Sequence, residues 1–298
     1  MTIYIDPPAW PAHGTLFSHV ISDASLEELH RFAAGCGLSE RAFDRDHYDV
    51  PAHRYDSLVT GGAVPVSGRD LARILTGCGL RVRGIERTER VRRNLSRAWH
   101  RLMPEAPGLG DGLLERWSEP HRSYHSPTHL AAVLRTIGVL ERAGELPVPL
   151  RRRTLLAAWY HDAVYDGAAG EDEEASARLA EEQLDGLIAE EEVRDVGRLV
   201  RLTAHHAPEE ADITGTVLTD ADLEVLGRQD FAYRRYAEQV RSDYAHVPSA
   251  QFAAGRAAVL RRLLEHPQLY HTATGRELWE AQARQNLTAE IRRLTGQE

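Results

Sequence analysis

From about residue 90 onward, apolar side chains recur at helical spacing along nearly the whole chain. Segments at about 90–102, 127–143, 150–164, 172–188, 191–206, 216–227, 230–244, 249–265 and 275–295 each place them three and four residues apart. Short Pro, Gly and Asp turns separate these segments, and the alternating pattern of a strand is almost absent. The pattern predicts an all-α domain over 90–298. The first part of the chain reads differently. TIYID (2–6) and VPV (64–66) have the character of short strands. LEELHRFAAGCGL behind a capping Ser25, and RDLARILTGCG behind Ser67 or Gly68, have that of helices closed by glycine. Strand, helix, strand, helix predicts a small α/β module over 1–86, with the change of character at 84–92. The fold class expected is mainly α.

A chain of 298 residues is long for one compact domain, which agrees with two. No apolar run approaches the roughly 20 residues that cross a bilayer. The N-terminus, MTIYIDPPAW, lacks the basic start of a secretory signal, so a cytoplasmic location is expected. The net charge of −9, with acidic runs at Glu171–Glu174 and Glu190–Glu192 and no basic block, argues against a nucleic-acid partner. A small anionic substrate stays compatible, because a metal ion can supply positive charge locally. All 36 basic residues are arginine. That removes Schiff-base chemistry and the lysines of P-loops and kinases. Cys36 and Cys78, each flanked by glycines, form no metal or redox spacing and are expected as reduced structural thiols. Oligomeric state is not legible.

Three short stretches of the helical region carry candidate chemistry. In Tyr124-His125-Ser126-Pro127-Thr128-His129, Ser126 suits an N-cap and Pro127 the first helical position. His129 then projects from the first turn, with His125 in the loop before it. In Trp159-Tyr160-His161-Asp162, a continued helix puts Asp162 on the apolar face with Leu155, Ala158 and Trp159, where a carboxylate needs a partner or a cation. In Leu218-Thr219-Asp220-Ala221-Asp222-Leu223, helical rotation of about 100° per residue puts Asp222 inside the arc of Leu218, Ala221, Val225 and Leu226. Asp220 falls opposite, facing solvent or capping the helix. Asp222 is therefore the expected ligand and Asp220 the fallback. Each piece alone also reads blandly, as a helix-start histidine or an aspartate paired with one of the many arginines.

A histidine, an adjacent His-Asp pair and a distant aspartate, all on helices, resemble the ligand order of the HD phosphohydrolase superfamily, from about residue 90 to the end. His-Arg-Ser-Tyr-His-Ser-Pro-Thr-His (121–129), Tyr-His-Asp-Ala-Val-Tyr-Asp (160–166), Glu-Ala-Ser-Ala (174–177) and Asp-Ala-Asp-Leu-Glu-Val-Leu-Gly (220–227) are similar to a bacterial subfamily of predicted HD phosphohydrolases. Asp172-Glu173 departs from that subfamily's usual Asn-Glu. The resemblance implies a metal held by His129, His161, Asp162 and Asp222. Two imidazoles and two carboxylates suit Mn²⁺, Fe²⁺, Co²⁺, Ni²⁺, Mg²⁺ or Zn²⁺. It further implies His125 as the acid for the leaving oxygen, with Glu173 as a competing acid or base. Arg122 is expected to clamp a phosphate, and Tyr124, Arg241 and Tyr244 to line the substrate pocket. Some relatives carry extra histidines where this chain has His205-His206, so His206, His205, Asp220 and Thr203 are candidates for a second metal or its surroundings. A polar helix end is the other reading. The implied activity is hydrolysis of a phosphate ester or phosphoanhydride, of a nucleotide or related small metabolite. A non-catalytic regulatory module and a nuclease are the alternatives.

Residues 1 to about 85 resemble a small bacterial domain of unknown function. The resemblance rests on Tyr-Ile-Asp (4–6), Phe-Ser-His-Val-Ile-Ser-Asp (17–23), Glu-Leu-His-Arg-Phe-Ala (28–33), His-Tyr-Asp-Val-Pro (47–51) and Gly-Ala-Val-Pro-Val (62–66). Asp6, His19, His47 and Asp49 either converge on a site or serve as turn and cap residues.

Overall fold

The computed structural model describes residues 2–78, 80, 88–166 and 170–296 of the chain. It divides into two units, Met1–Gly84 and Ile85–Glu298. The predicted change of character begins at 84, and residues 81–87 lie outside the described residues. The first unit is a small mixed sheet with helices and the second is helical, so the expected fold class holds.

The first unit is organised by β3 (Thr15–Ser22). It pairs antiparallel with β1 (Ile3–Ile5), β2 (Trp10–Ala12) and β4 (Tyr48–Pro51), and β1 pairs parallel with β5 (Val64–Pro65). Side chains alternate across the sheet. Val20 packs with Ile5, Leu29 and Tyr48 on the side of α1 (Leu26–Gly35), while Ile21 packs with Leu71 and Leu75 of α3 (Gly68–Gly77). Both helices start as the sequence predicts, with Ser25 and Ser67 accepting from Glu28 N and Asp70 N. β2, β3, β4 and α2 (Tyr55–Thr60) were not anticipated. Their apolar signal is diluted by buried polar residues, for Ser18 and Ser22 are both fully buried in β3. Ser22 accepts from Ala24 N and Ser25 N and bonds Glu28, tying the strand to the start of α1. Cys36 and Cys78 are free thiols.

The second unit runs α4 (Thr88–Leu102), α5 (Pro107–Arg116), α6 (Pro127–Arg142), α7 (Arg151–Tyr160), α8 (Glu171–Leu184), α9 (Glu190–Leu202), α10 (Ile213–Leu223), α11 (Asp230–Asp243), α12 (Ser249–Glu265), α13 (Ala273–Leu278) and α14 (Glu280–Thr295). One core joins α4 to α10 around Trp99, Trp117, Trp159 and Tyr160; another joins α11, α12 and α14 around Tyr233, Leu260 and Leu287. Helix α5 escaped the periodicity reading because Gly108, Gly110 and Gly112 thin its apolar face. Gly110 is there for close approach, since a Cβ at that point would lie 2.3 Å from the Trp99 ring. No helix among the described residues is long and apolar enough to cross a membrane.

Candidate metal centre

The ends of α7, α9, α10 and α11 and the starts of α6 and α8 meet around a small cavity in the second unit. Helix α6 begins at Pro127 with Ser126 in extended conformation before it, and His129 in its first turn is buried. Helix α7 ends at Tyr160, four residues earlier than the periodicity suggested, so Asp162 lies in the turn after the helix and not on its apolar stripe. The chain leaves the helix there because side chains take over the backbone hydrogen bonds. Arg122 donates to the carbonyls of Asp162 (2.6 Å) and Ala163 (3.2 Å). Ser176 Oγ bonds both N–H and C=O of Val164, and Asp172 Oδ2 accepts from Asp166 N at 3.1 Å. A cation at a helix C-terminus suits the orphan carbonyls and the helix dipole.

The donor atoms are closely spaced. His129 Nε2 lies 3.2 Å from His161 Nε2 and 3.0 Å from Asp222 Oδ1. His161 Nε2 lies 3.5 Å from Asp222 Oδ1 and 3.2 Å from Asp162 Oδ2, which is also 3.7 Å from His129 Nε2. Atoms bonded at about 2.1 Å to one cation stand roughly 3.0–3.4 Å apart as neighbours in octahedral or tetrahedral order and at most about 4.2 Å, so these spacings are compatible with a shared divalent ion. The compact group is His129, His161 and Asp222, with Asp162 flanking it. His161 Nδ1 faces the Ala158 carbonyl at 2.9 Å, an arrangement that turns Nε2 toward the group.

Electrostatics point the same way. Burial opposes charge on His161, yet Asp162 and Asp222 overcome it and raise its pKa well above the usual value. Burial lowers that of His129, against the pull of Asp222. Burial would lift both carboxyls, but His161 holds Asp162 and Asp222 below the ordinary carboxylate range, with His129 and His206 adding to the effect at Asp222. Two ionised carboxylates in a mostly dry pocket call for a cation, whether proton or metal.

Burial reverses the expected contrast between Asp220 and Asp222. Asp220 is fully buried and faces neither solvent nor the cavity. It accepts from His271 N, Thr272 N and Thr272 Oγ1, at 2.8, 2.8 and 2.6 Å, bracing the start of α13. Asp222 keeps slight exposure because it borders the cavity. Arg122 does not border the cavity: its side chain is wholly buried and its donors meet Glu119 and the two carbonyls, so it shapes the turn where a phosphate clamp was expected. Arg241 likewise bonds the carbonyls of Tyr244 and Val247 and stacks on Phe252, away from the cavity lining. His205 points into a separate groove with Arg198 and Arg201, whereas His206 reaches Asp222. Thr203 Oγ1 donates to Val200 C=O within its own helix end and touches the cavity.

The cavity measures about 190 Å³, and Tyr124, His125, Glu173, His206 and Tyr244 are among the residues that line it. His125 Nδ1 pairs with Asp243 Oδ2 at 3.0 Å and its ring stacks on Tyr165 at 4.1 Å. Glu173 Oε2 accepts from Gly170 N, closing the first turn of α8. In Val-Arg-Ser-Asp-Tyr (240–244) the sequence reads Asp243 equally as pocket lining or as a solvated helix face, and it does not single out Tyr165 or Tyr236. Asp243 sits in the last turn of a polar helix, where periodicity carries no sign of a bond across to residues 123–125.

Comparison with known proteins bears on the other unit. Residues 3–77 match a family described as a protein of unknown function, DUF4031. The chain thus joins a DUF4031 domain to a helical unit that carries a His–Asp cluster compatible with a divalent metal. No curated protein and no solved structure matches the chain. In the DUF4031 unit, Asp6, His19, His47 and Asp49 do come together.

Proposed function

We propose that the helical unit is a metal-dependent phosphohydrolase of the HD type, with His129, His161, Asp162 and Asp222 as the metal ligands. The observation that carries the reading is the buried His–His–Asp group, flanked by Asp162, opening into a cavity that also holds an oriented histidine. When bound, a divalent ion such as Mn²⁺, Fe²⁺, Co²⁺, Ni²⁺, Mg²⁺ or Zn²⁺ supplies Lewis acidity, bringing the pKa of water from about 15.7 toward about 7 and polarising a phosphoryl oxygen. His125 is the acid that protonates the leaving oxygen. Its Nδ1 is fixed by Asp243, which leaves the other ring nitrogen for the cavity. Glu173 is the weaker candidate, since its carboxylate already closes a helix turn.

The cavity supports a small substrate. Its volume lies below the roughly 300 Å³ at which pockets for drug-sized ligands begin, enough for a phosphoryl group and part of what it is attached to. Tyr124, Tyr236 and Tyr244 give it aromatic walls on which a nucleotide base can stack. The net charge of −9 speaks against a polymeric nucleic acid. The test is a panel of nucleotides and other phosphate esters with purified protein and Mn²⁺ or Co²⁺. Cleavage of at least one member is expected, abolished in Asp162→Ala. A variant as active as wild type would remove the assignment. Ligand-dependent thermal stabilisation without turnover would instead mark a regulatory binding module.

A further inference from the structure

The DUF4031 unit holds a second group of histidines and carboxylates, built across three adjacent strands. Asp6 directly follows β1, His19 lies in the middle of β3, and Asp49 in β4 is the cross-strand partner of His19. His47 enters just before β4. The backbone fixes the row, for Asp6 N donates to His19 C=O at 3.2 Å and His19 N to Asp6 Oδ1 at 2.5 Å.

Both imidazoles are gripped from behind by a buried carboxylate. His19 Nδ1 lies 3.0 Å from Asp6 Oδ2, and His47 Nδ1 lies 2.5 Å from Asp46 Oδ1. Asp6 and Asp46 are each about 2% exposed. Both Nε2 atoms then face one oxygen, Asp49 Oδ1, at 3.8 Å from His19 and 3.5 Å from His47. These separations exceed an N–H···O hydrogen bond. They fall within the roughly 4.2 Å that two atoms bonded at about 2.1 Å to one cation can span. An imidazole whose Nδ1–H donates to a carboxylate presents an unprotonated Nε2, and this carboxylate–histidine support is the usual backing of a metal ligand. If the histidines were only ion-paired to Asp6 and Asp46, nothing would require both rings to turn their far nitrogens toward the same third carboxylate.

We infer that His19 Nε2, His47 Nε2 and Asp49 Oδ1 form a second divalent-metal site, separate in chemistry and position in the chain from the one in the helical unit. Two imidazoles and one carboxylate select a borderline first-row dication of the Zn²⁺, Co²⁺ or Ni²⁺ kind. Three protein donors leave coordination positions open, the pattern of a reactive or ligand-accepting site, whereas structural sites are closed by four. Asp49 is 44% exposed on its side chain, and the exposed Trp10 ring stands 5.5 Å from His19 at the rim, so a small ligand has access.

Trp10 makes the site observable. Co²⁺ titrated into the metal-free full chain should quench the Trp10 contribution, taken as the difference between wild type and Trp10→Phe, in a saturable way. His47→Ala and Asp49→Asn should weaken that titration at least tenfold, with circular dichroism confirming the fold. Asp46→Asn, which leaves all three donors in place, should weaken it roughly ten- to a hundredfold. Asp222→Asn in the helical unit should leave it unchanged, so this site and the phosphohydrolase reading can fail separately. A Trp10 signal indifferent to saturating Co²⁺, or an unaltered titration in folded His47→Gln and Asp49→Asn, would overturn the inference.

Discussion

Asp222 stands between two histidines, with Oδ1 3.0 Å from His129 Nε2 and Oδ2 2.7 Å from His206 Nε2. His206 therefore holds the far side of a carboxylate whose near side faces the candidate metal. It does so in an unfavourable backbone conformation, at φ 52°. A non-glycine residue in the left-handed region costs about 1–2 kcal/mol, and such costs collect at functional sites.

Two variants at position 206 separate the cost of the backbone from the contribution of the ring. His206→Gly and His206→Ala both lose the bond to Asp222, but only glycine also removes the left-handed penalty. Glycine should melt later than alanine, by about 1 kcal/mol, while both weaken Mn²⁺ or Co²⁺ affinity to a similar extent. Equal melting of the two would show that the φ of His206 carries no cost.

Asp220 and Asp222 should differ in what their mutation does to metal affinity, although they are neighbours on one helix. Asp220→Ala leaves the amides of His271 and Thr272 without an acceptor in a buried place, which should cost about 2–4 kcal/mol in denaturant unfolding. Its metal affinity, measured where the protein is folded, should stay close to wild type. Asp222→Asn should lose metal binding, and because His161, His129 and His206 hold that carboxyl below its ordinary range it should also lose some stability at neutral pH. A fall in metal affinity in folded Asp220→Ala equal to that in Asp222→Asn would break the distinction.

This pair also marks what the sequence conveyed. The positions of α6, α9 and α10 and the choice of Asp222 followed from apolar periodicity, because a helix wheel reports which way a side chain points. The wheel could not say that the direction opposite the core of α10 is covered by the segment leading into α13, so Asp220 read as solvent-facing. Arg122 failed for a similar reason. A local sequence shows a guanidinium beside two histidines, and only the fold shows carbonyls forty residues later waiting for it. In the first unit, the two short strands β1 and β5 and both main helices are legible from apolar runs, caps and stops. The hub strand β3 was not, since its polar residues are buried for bonding and its alternation is masked.

Arg122 should prove a structural residue. Arg122→Met keeps the apolar stem but strands the carbonyls of Asp162 and Ala163, and leaves Glu119 only the more distant His121, at 3.8 Å. A destabilisation of about 2–4 kcal/mol is expected. Any residual turnover should show KM for the phosphate ester within a few-fold of wild type once metal is saturating. A large rise in KM with metal affinity and stability intact would return Arg122 to the role of phosphate clamp.

The Asp243–His125 pair should give the helical unit a component of acid sensitivity. Burial would raise the Asp243 carboxyl, but His125 and the amides of Ser123 and Tyr124 outweigh it and hold the group below its ordinary range. A carboxylate depressed in the folded state contributes stability above its unfolded pKa, about 3.9, and loses it as pH falls through the lower folded value. Wild type should therefore exceed Asp243→Asn in stability by about 1–3 kcal/mol at neutral pH. The gap should begin to narrow as pH drops below about 5 and keep closing below about 4. Because the same carboxylate orients the His125 ring, Asp243→Asn should also lower kcat more than it raises KM, and leave metal affinity nearly unchanged. Parallel unfolding curves across that pH range, with a constant gap between wild type and variant, would show that Asp243 is not held ionised by these partners.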